Sequence, residues 1–347
     1  MKKLIDKLFN EKNLSDEELK ILISNMPEPE YLFEKARIRA NEVYGNKVFI
    51  RGLIEVSNYC KNDCYYCGIR KSNHLAERYR LTDEEILSAC ENGYKLGFRT
   101  FVLQGGEDSA FSDDRLVRLI KEIKQNYPDC AVTLSLGEKS DESYKKLRDA
   151  GADRYLLRHE TACEEHYNKL HPENMSFENR INCLKTLKKL GFQTGCGFMV
   201  GTPGQTVENI VSDLRFIKEF EPQMVGIGPF LPHNDTPFKD EKAGPSDLTV
   251  YLLAIIRLML PEVLLPATTA LGTASETGKE KGILAGANVI MPNLSPKEAR
   301  EKYTLYNDKL HTGTENAYEL EKLKEQIAKI GYIVVEDRGD YLTGKKF

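Results

Sequence analysis

Val48-Phe49-Ile50-Arg51-Gly52-Leu53-Ile54-Glu55-Val56, followed after three intervening residues by Cys60-Lys61-Asn62-Asp63-Cys64-Tyr65-Tyr66-Cys67, organises the rest of the chain. The apolar run reads as a β-strand. The loop after it carries cysteines at i, i+4 and i+7, a spacing that can fold three thiolates around one corner of a metal centre. Three is the informative number. A closed structural zinc site and a fully protein-ligated iron–sulfur cluster both take four N or S ligands. Three cysteines on a [4Fe–4S] cube leave one iron open to a small molecule. Two other readings fit the spacing: a zinc knuckle completed by His74 or a distant Cys, and three unrelated thiols.

Outward from this loop the chain keeps one rhythm. Thr82-Asp83-Glu84-Glu85 opens a helix that stops at Gly97. Residues 100–104 read as a strand ending in Gly105-Gly106-Glu107-Asp108, and a helix over 113–127 follows. Strands are expected at 131–136, 154–160, 193–200, 224–230, 264–270 and 288–291, with helices at 141–151, 177–190, 206–220, 248–260 and 278–285. Strands alternating with helices imply right-handed βαβ units and a parallel sheet. Eight such units predict an α/β fold, a closed (β/α)8 barrel of TIM type over residues 48–295. Residues 1–47 form an N-terminal helical cap, in which Ser15 and Glu18 make a capping signal. Residues 296–347 form a C-terminal extension packed on the barrel, with a charged helix over 315–330 and a terminal strand from 331. In such barrels the working residues lie at the C-terminal strand ends. The chemically suggestive residues fall there: the cysteine loop, Gly105-Gly106-Glu107, Ser135, Arg158-His159-Glu160, Gly201, Pro229, Thr268-Thr269 and Pro292-Asn293.

Composition narrows the function classes. Of 347 residues, 29% are charged and 41% hydrophobic, as in ordinary globular proteins. A net charge of −4 gives no electrostatic reason to expect nucleic acid or an anionic membrane as partner. No apolar run reaches the ~18 residues of a membrane-spanning helix. Met1-Lys2-Lys3-Leu4-Ile5-Asp6-Lys7 places charges where a signal peptide has its apolar core, so a cytoplasmic location is expected. The 8 cysteines point to metal or free thiols and not to a disulfide framework. Cys90, Cys130, Cys163, Cys183 and Cys196 read as small buried hydrophobes.

The Cys-x3-Cys-x2-Cys loop, with Tyr66 before its last cysteine and a strand before its first, resembles the radical S-adenosylmethionine (SAM) superfamily. That resemblance implies that Cys60, Cys64 and Cys67 hold a [4Fe–4S] cluster. It implies that SAM chelates the fourth iron and is cleaved to a 5′-deoxyadenosyl radical. Tyr66 would lie beside the adenine, and Gly105-Gly106-Glu107 would receive the methionine amine. Longer strings resemble the HydE-type [FeFe]-hydrogenase maturases, among them 153–161, 199–206, 225–233 and 266–273. Biotin synthase and methylornithine synthase are related. Carried over by position, Gln104, Ser135, Glu160, Arg180 and Met199 would line the SAM site. Arg180 suits a carboxylate through its planar fork; a surface salt bridge is the alternative. Glu160 can accept from an ammonium or ribose hydroxyls, or pair with Arg158 or Arg154.

Thr133, Arg154, Arg158, Thr268, Thr269 and Tyr303 are the substrate candidates. Arg154 and Arg158 share a strand face. If they point inward they need anions, such as substrate carboxylates; if outward, helix carboxylates. His159 has the opposite parity and reads as non-catalytic. No cysteine lies beyond Cys196, so one cluster is expected and no second. Cys130 and Cys196 fall one residue off the strand positions of the sulfur-donating cluster of biotin synthase, on the other face. The resemblance implies a small iron- or cysteine-derived precursor of the hydrogenase H-cluster as substrate. It further implies an electron donor such as a ferredoxin or flavodoxin, and other hydrogenase maturases as partners. The alternatives are a methylornithine synthase-like mutase and a non-catalytic iron-precursor carrier.

Overall fold

The computed structural model describes residues 1–342; positions 343–347 of the expected C-terminal extension lie outside the described residues. Eleven strands follow one another: β1 (Lys47–Ile50), β2 (Gly52–Ser57), β3 (Thr100–Gly105), β4 (Ala131–Ser135), β5 (Arg154–Leu156), β6 (Gln193–Cys196), β7 (Met199–Val200), β8 (Met224–Val225), β9 (Gly228–Pro229), β10 (Val289–Ile290) and β11 (Ile333–Val335). Every pairing between them is parallel. The longest sheet runs β2-β3-β4-β5-β6-β8, and helices fill the crossovers. Single backbone bonds carry the circuit onward. The Val225 amide donates to Leu264 (3.1 Å), that of Ala267 to Val289 (2.9 Å), and that of Phe49 to Asn288 (2.9 Å). The fold is a parallel α/β barrel whose last third is held by sparse bonds.

Two expectations shift. The 48–56 run does not act as one strand: it changes edge partner at Arg51. Towards β10 it is continuous, the amides of Arg51 and Leu53 donating to Ile290 (3.0 Å) and Pro292 (2.9 Å). On the other edge β3 begins at Thr100 and reaches only β2, so β11 fills the edge of β1. The strand expected over 264–270 is reduced to bridges at Leu264 and Pro266, and a helix, Thr269–Ala274, starts early. Pro266 has no amide for a ladder.

The outer layer obeys its local signals. Ser15 and Glu18 close a reciprocal capping box (3.2 and 2.8 Å) at the start of helix Asp16–Asn25. The next helix, Pro29–Tyr44, packs on helix Ser246–Met259, which is buried almost all round. The expected 315–330 helix is shorter, Leu320–Lys329, preceded by two 3-10 turns. Among the described residues no helix is long and apolar enough to cross a membrane.

The floor of the barrel corrects one functional expectation. Arg154 opens β5, so it sits at the N-terminal end of the strands. It is fully buried there. Its Nη2 donates to Asp340 Oδ1 (2.6 Å) and the Arg338 carbonyl (2.7 Å), and its Nη1 to Thr100 Oγ1 (2.9 Å). Arg338 in turn pairs with Asp153 (3.0 Å) and Asp340 (2.8 Å). Arg158 lies beyond the end of β5 at Leu156, four residues and about 13 Å of extended chain further on. Arg154 therefore anchors the C-terminal segment beneath the barrel and is not placed with the other substrate candidates.

Candidate active site at the barrel mouth

The cysteine loop leaves the end of β2 and is fixed by its own polar residues. Arg78 donates from both Nη atoms to four loop carbonyls, those of Asn58 (2.5 Å), Ile69 (2.9 Å), Arg70 (2.6 Å) and Asn73 (2.9 Å). Asp63 receives Arg70 Nε (2.9 Å) and the Ser72 amide (2.9 Å). The loop also docks on its neighbours. The Gly106 amide donates to Ser57 (3.1 Å), that of Lys61 to Glu107 (3.0 Å), and that of Gly68 to Leu305 (2.9 Å).

This closeness explains Gly106. A Cβ there would lie 2.2 Å from the Tyr59 carbonyl and 2.8 Å from Cys60 Cβ. Gly106→Ala must push the loop away, at a cost of about 1–3 kcal/mol by overpacking. The expected result is a lower thermal midpoint together with poor iron retention, read by unfolding and by iron assay.

The Glu107 amide donates to Cys60 Sγ (3.4 Å), and Cys64 Sγ lies 3.8 Å from Met175 Sδ. Burial pushes all three thiols up, Cys67 to about 12. Such groups are poor free nucleophiles and become thiolates when a cation supplies the compensating charge. A single zinc ion would need its ligands gathered about one point. Among the described residues no three of His, Cys, Asp and Glu are gathered in that way, and His74 is exposed.

Around the loop stand the expected cofactor residues. Glu107 is tied to Lys61 (3.0 Å) and accepts from the Glu138 amide (2.9 Å). Glu138 was missed in the sequence. Its carboxylate holds Arg180 Nε (2.5 Å), while Arg180 Nη1 donates to the Arg158 carbonyl (2.9 Å). Arg180 is thus a buried, aimed guanidinium and not a surface ion pair. Burial alone would lower its pKa, but Glu138 and its neighbours hold it well above the ordinary value. Glu160 is buried with φ +66°, a backbone region non-glycine residues seldom occupy, and its Oε2 has no partner. The same strand end is pinned by buried His159, whose Nδ1 accepts from the Gly197 amide (3.2 Å) and whose Nε2 faces Asp213 (3.3 Å). Gln104 and Ser135 end their strands half-buried, and Met199 is buried on β7. Cys60, Gly106, Glu107 and Glu138 border a cleft of about 360 Å³.

Deeper in the barrel, Thr133 is buried and its hydroxyl has no partner. Arg158 is half-buried, and its Nε lies 4.0 Å from where a Cβ on Gly226 would stand. Thr268 Oγ1 reaches the Ile227 carbonyl at 3.5 Å, and Thr269 Oγ1 donates to Glu315 (2.9 Å). Tyr303 is buried against Gln104, its phenol pushed well up by burial.

Tyr303 opens a strap, residues 303–316, that crosses the mouth. Lys309, buried over the Tyr303 ring, pairs with Glu55 of β2 (2.8 Å); Glu315 pairs with Lys279. Sequence reading missed Lys309 and Glu55. It also missed Arg51, which is buried with its Nε and Nη2 unpartnered and its Nη1 only on Met224 Sδ (2.9 Å). An arginine and a glutamate inside one apolar strand were the available signal.

The donor set suits a [4Fe–4S] cluster with SAM. Three soft sulfurs lie on one loop, and the buried Glu160 Oε2, without a protein partner, is left for a polar ligand.

Comparison with known proteins agrees. Residues 54–217 match the family model of the Radical SAM superfamily. The chain is 50% identical over 281 residues to the [FeFe] hydrogenase maturase subunit HydE of Thermotoga maritima, covering 81% of this chain and 80% of that one. It is 33% identical over 305 residues to the 3-methylornithine synthase of Methanosarcina acetivorans, covering 86% and 85%. The crystal structure of methylornithine synthase superposes with a TM-score of 0.80 at 28% identity, over 96% of this chain and 97% of that one. The [FeFe]-hydrogenase maturase HydG superposes with a TM-score of 0.79 at 23% identity, over 95% and 74%, a likeness of fold alone. Membership of the superfamily implies a [4Fe–4S] cluster and SAM. The chain is therefore a radical SAM enzyme and belongs to the family of the [FeFe]-hydrogenase maturase subunit HydE.

Proposed function

We propose that this enzyme serves the assembly of the [FeFe]-hydrogenase H-cluster, acting on a small anionic precursor derived from iron or cysteine. The observation that carries the substrate class is the cationic barrel interior. Arg158 stands towards its mouth, its Nε 4.0 Å from where a Cβ on Gly226 would stand, and buried Arg51, with two guanidinium nitrogens unpartnered, lies at its floor beside Arg154. An unpaired buried charge is costly, and an anionic substrate relieves it.

Cys60, Cys64 and Cys67 would hold the one cluster, since no cysteine lies beyond Cys196. When bound, the cluster supplies the electron that cleaves SAM to a 5′-deoxyadenosyl radical. Arg180, oriented by Glu138, would hold the methionine carboxylate, and the backbone of Gly105-Gly106 with Glu107 the amine. Glu160 would accept from ribose hydroxyls. Tyr66 and Met199 would flank the adenine, with Gln104 and Ser135 completing the wall. Thr133, Arg158, Thr268, Thr269 and Tyr303 would contact substrate. The strap, latched by Glu55 and Lys309, would exclude water from the cavity. A ferredoxin or flavodoxin as donor, other maturases as partners and a cytoplasmic setting belong to this reading.

Expression in cells that lack their HydE-type maturase should restore active hydrogenase; inactive hydrogenase in the presence of the intact enzyme would sink the assignment. The methylornithine synthase relatives motivate a second assay. Reduced enzyme given SAM and lysine is expected to form no methylornithine, and formation of that product would reverse the ranking.

A further inference from the structure

The cysteine loop is gripped on one side by a segment that the roles above leave unused. Helix Glu164–Leu170 ends beside it. The Leu170 carbonyl accepts the Tyr65 amide (3.0 Å), and Met175 touches Cys64. Between them, buried His171 lies against Tyr66, Nε2 to hydroxyl at 3.2 Å. Its Nδ1 is 3.0 Å from the Tyr167 carbonyl. A carbonyl only accepts, so Nδ1 carries the proton and Nε2 is free to accept from the Tyr66 hydroxyl. Burial lowers the pKa of His171 to about 3, so the ring is neutral at physiological pH.

The His171 ring stacks on Tyr167, centroids 4.0 Å apart, and Phe177 meets the Tyr167 ring edge-on at 5.7 Å. Tyr167 is fully buried, and its hydroxyl has no partner. After burial, the charges that act on that hydroxyl are those of Arg180, Glu138, Cys64 and Glu160, the groups expected to border the SAM site. A buried phenol without a partner costs free energy, and here it opens onto a place where a polar ligand is expected.

We propose that the Tyr167 hydroxyl is a hydrogen-bonding group for bound SAM, held in place by the His171 ring that also fixes Tyr66. The proposal rests on the SAM site described above. It requires no new covalent step. It adds Tyr167 as a binding residue and His171 as a positioning residue.

Removing the hydroxyl should have effects of opposite sign on binding and on folding. In the anaerobically reconstituted full chain, Tyr167→Phe is expected to raise the SAM dissociation constant about five- to tenfold, the loss of one hydrogen bond. The midpoint of thermal unfolding without SAM should stay equal or rise, because the unpartnered group is gone. The change that SAM causes in the electron paramagnetic resonance signal of the reduced cluster supplies a readout independent of turnover. His171→Phe keeps a ring for stacking but removes the acceptor. It should be non-additive with Tyr66→Phe in SAM affinity, whereas His171→Gln, which keeps an acceptor, should recover part of the loss. Unchanged SAM affinity in Tyr167→Phe, or a loss matched by a fall in thermal midpoint, overturns the proposal. A parent enzyme that binds no SAM would instead overturn the reading on which it rests.

Discussion

Cys64→Ser should give a folded protein that makes no 5′-deoxyadenosine. The loop around Cys64 is held by Arg78 on four carbonyls and by Asp63, not by its thiols. The Cys64 sulfur makes a 3.8 Å contact with Met175 and a weak hydrogen-bonding contact with Tyr66. A change at such a site is expected to alter stability by no more than about 1 kcal/mol. Ligation has no substitute: a hard hydroxyl replaces a soft thiolate, and three ligands are already the minimum. Iron per chain should drop sharply and SAM cleavage should fall to background, with the thermal midpoint close to that of the parent. Cys60→Ser and Cys67→Ser should behave alike. Retained cleavage in any one of the three would show that its sulfur is not a cluster ligand.

The largest stability effect is expected at the opposite end of the barrel. Asp340→Ala leaves the guanidinium of Arg154 buried without its carboxylate and close to Arg51, also buried. Arg154 is fully buried but the Asp340 side chain is 38% exposed, so breaking this half-buried pair costs about 2–3 kcal/mol, and denaturant unfolding would read that loss directly. Arg154→Met, which removes the charge and keeps volume, should be tolerated better. Per folded, cluster-loaded chain, SAM cleavage should be unchanged in both, because the floor does not reach the mouth. A loss of SAM cleavage in the folded Arg154→Met enzyme would return Arg154 to the active site.

The same pair sets a dependence on pH. Burial would raise the pKa of Asp340, but the Arg338 hydrogen bond and the charge of Arg154 outweigh it and hold the carboxyl below the usual range. A depressed folded pKa contributes stability above the unfolded value, about pH 4, and that contribution is lost as the pH falls through the folded one. The stability gap between the parent and Asp340→Asn should therefore narrow on acidification below about pH 4.

What was legible in the sequence was local or periodic. The strand–helix alternation follows from residues that are neighbours in the chain, and so do the cysteine loop and the glycines after β3. What was misread depends on distant partners. Period-two reasoning put Arg154 and Arg158 on one strand face, but β5 ends at Leu156, and depth along the barrel depends on where β5 begins and on Asp340, 186 residues away. The division of the first strand at Arg51 reflects β11, supplied by the far end of the chain. The strap has no periodicity to reveal it, and its latch joins Lys309 to Glu55 across 254 residues. Glu138, which aims Arg180, sits 42 residues from it, and its place at the end of the 133–138 string carries no sign of that role. Buried polar groups with unfilled hydrogen bonds, Arg51, Glu160 and Tyr167, are visible only in three dimensions.

The central claim, that this barrel generates radicals from SAM at Cys60, Cys64 and Cys67, is tested most directly by one assay. The enzyme is reconstituted anaerobically to roughly four iron atoms per chain, reduced, and incubated with SAM. The predicted result is 5′-deoxyadenosine formed in the parent and absent in the Cys64→Ser protein treated alike. Intact SAM after reduction of a fully loaded cluster would contradict the account.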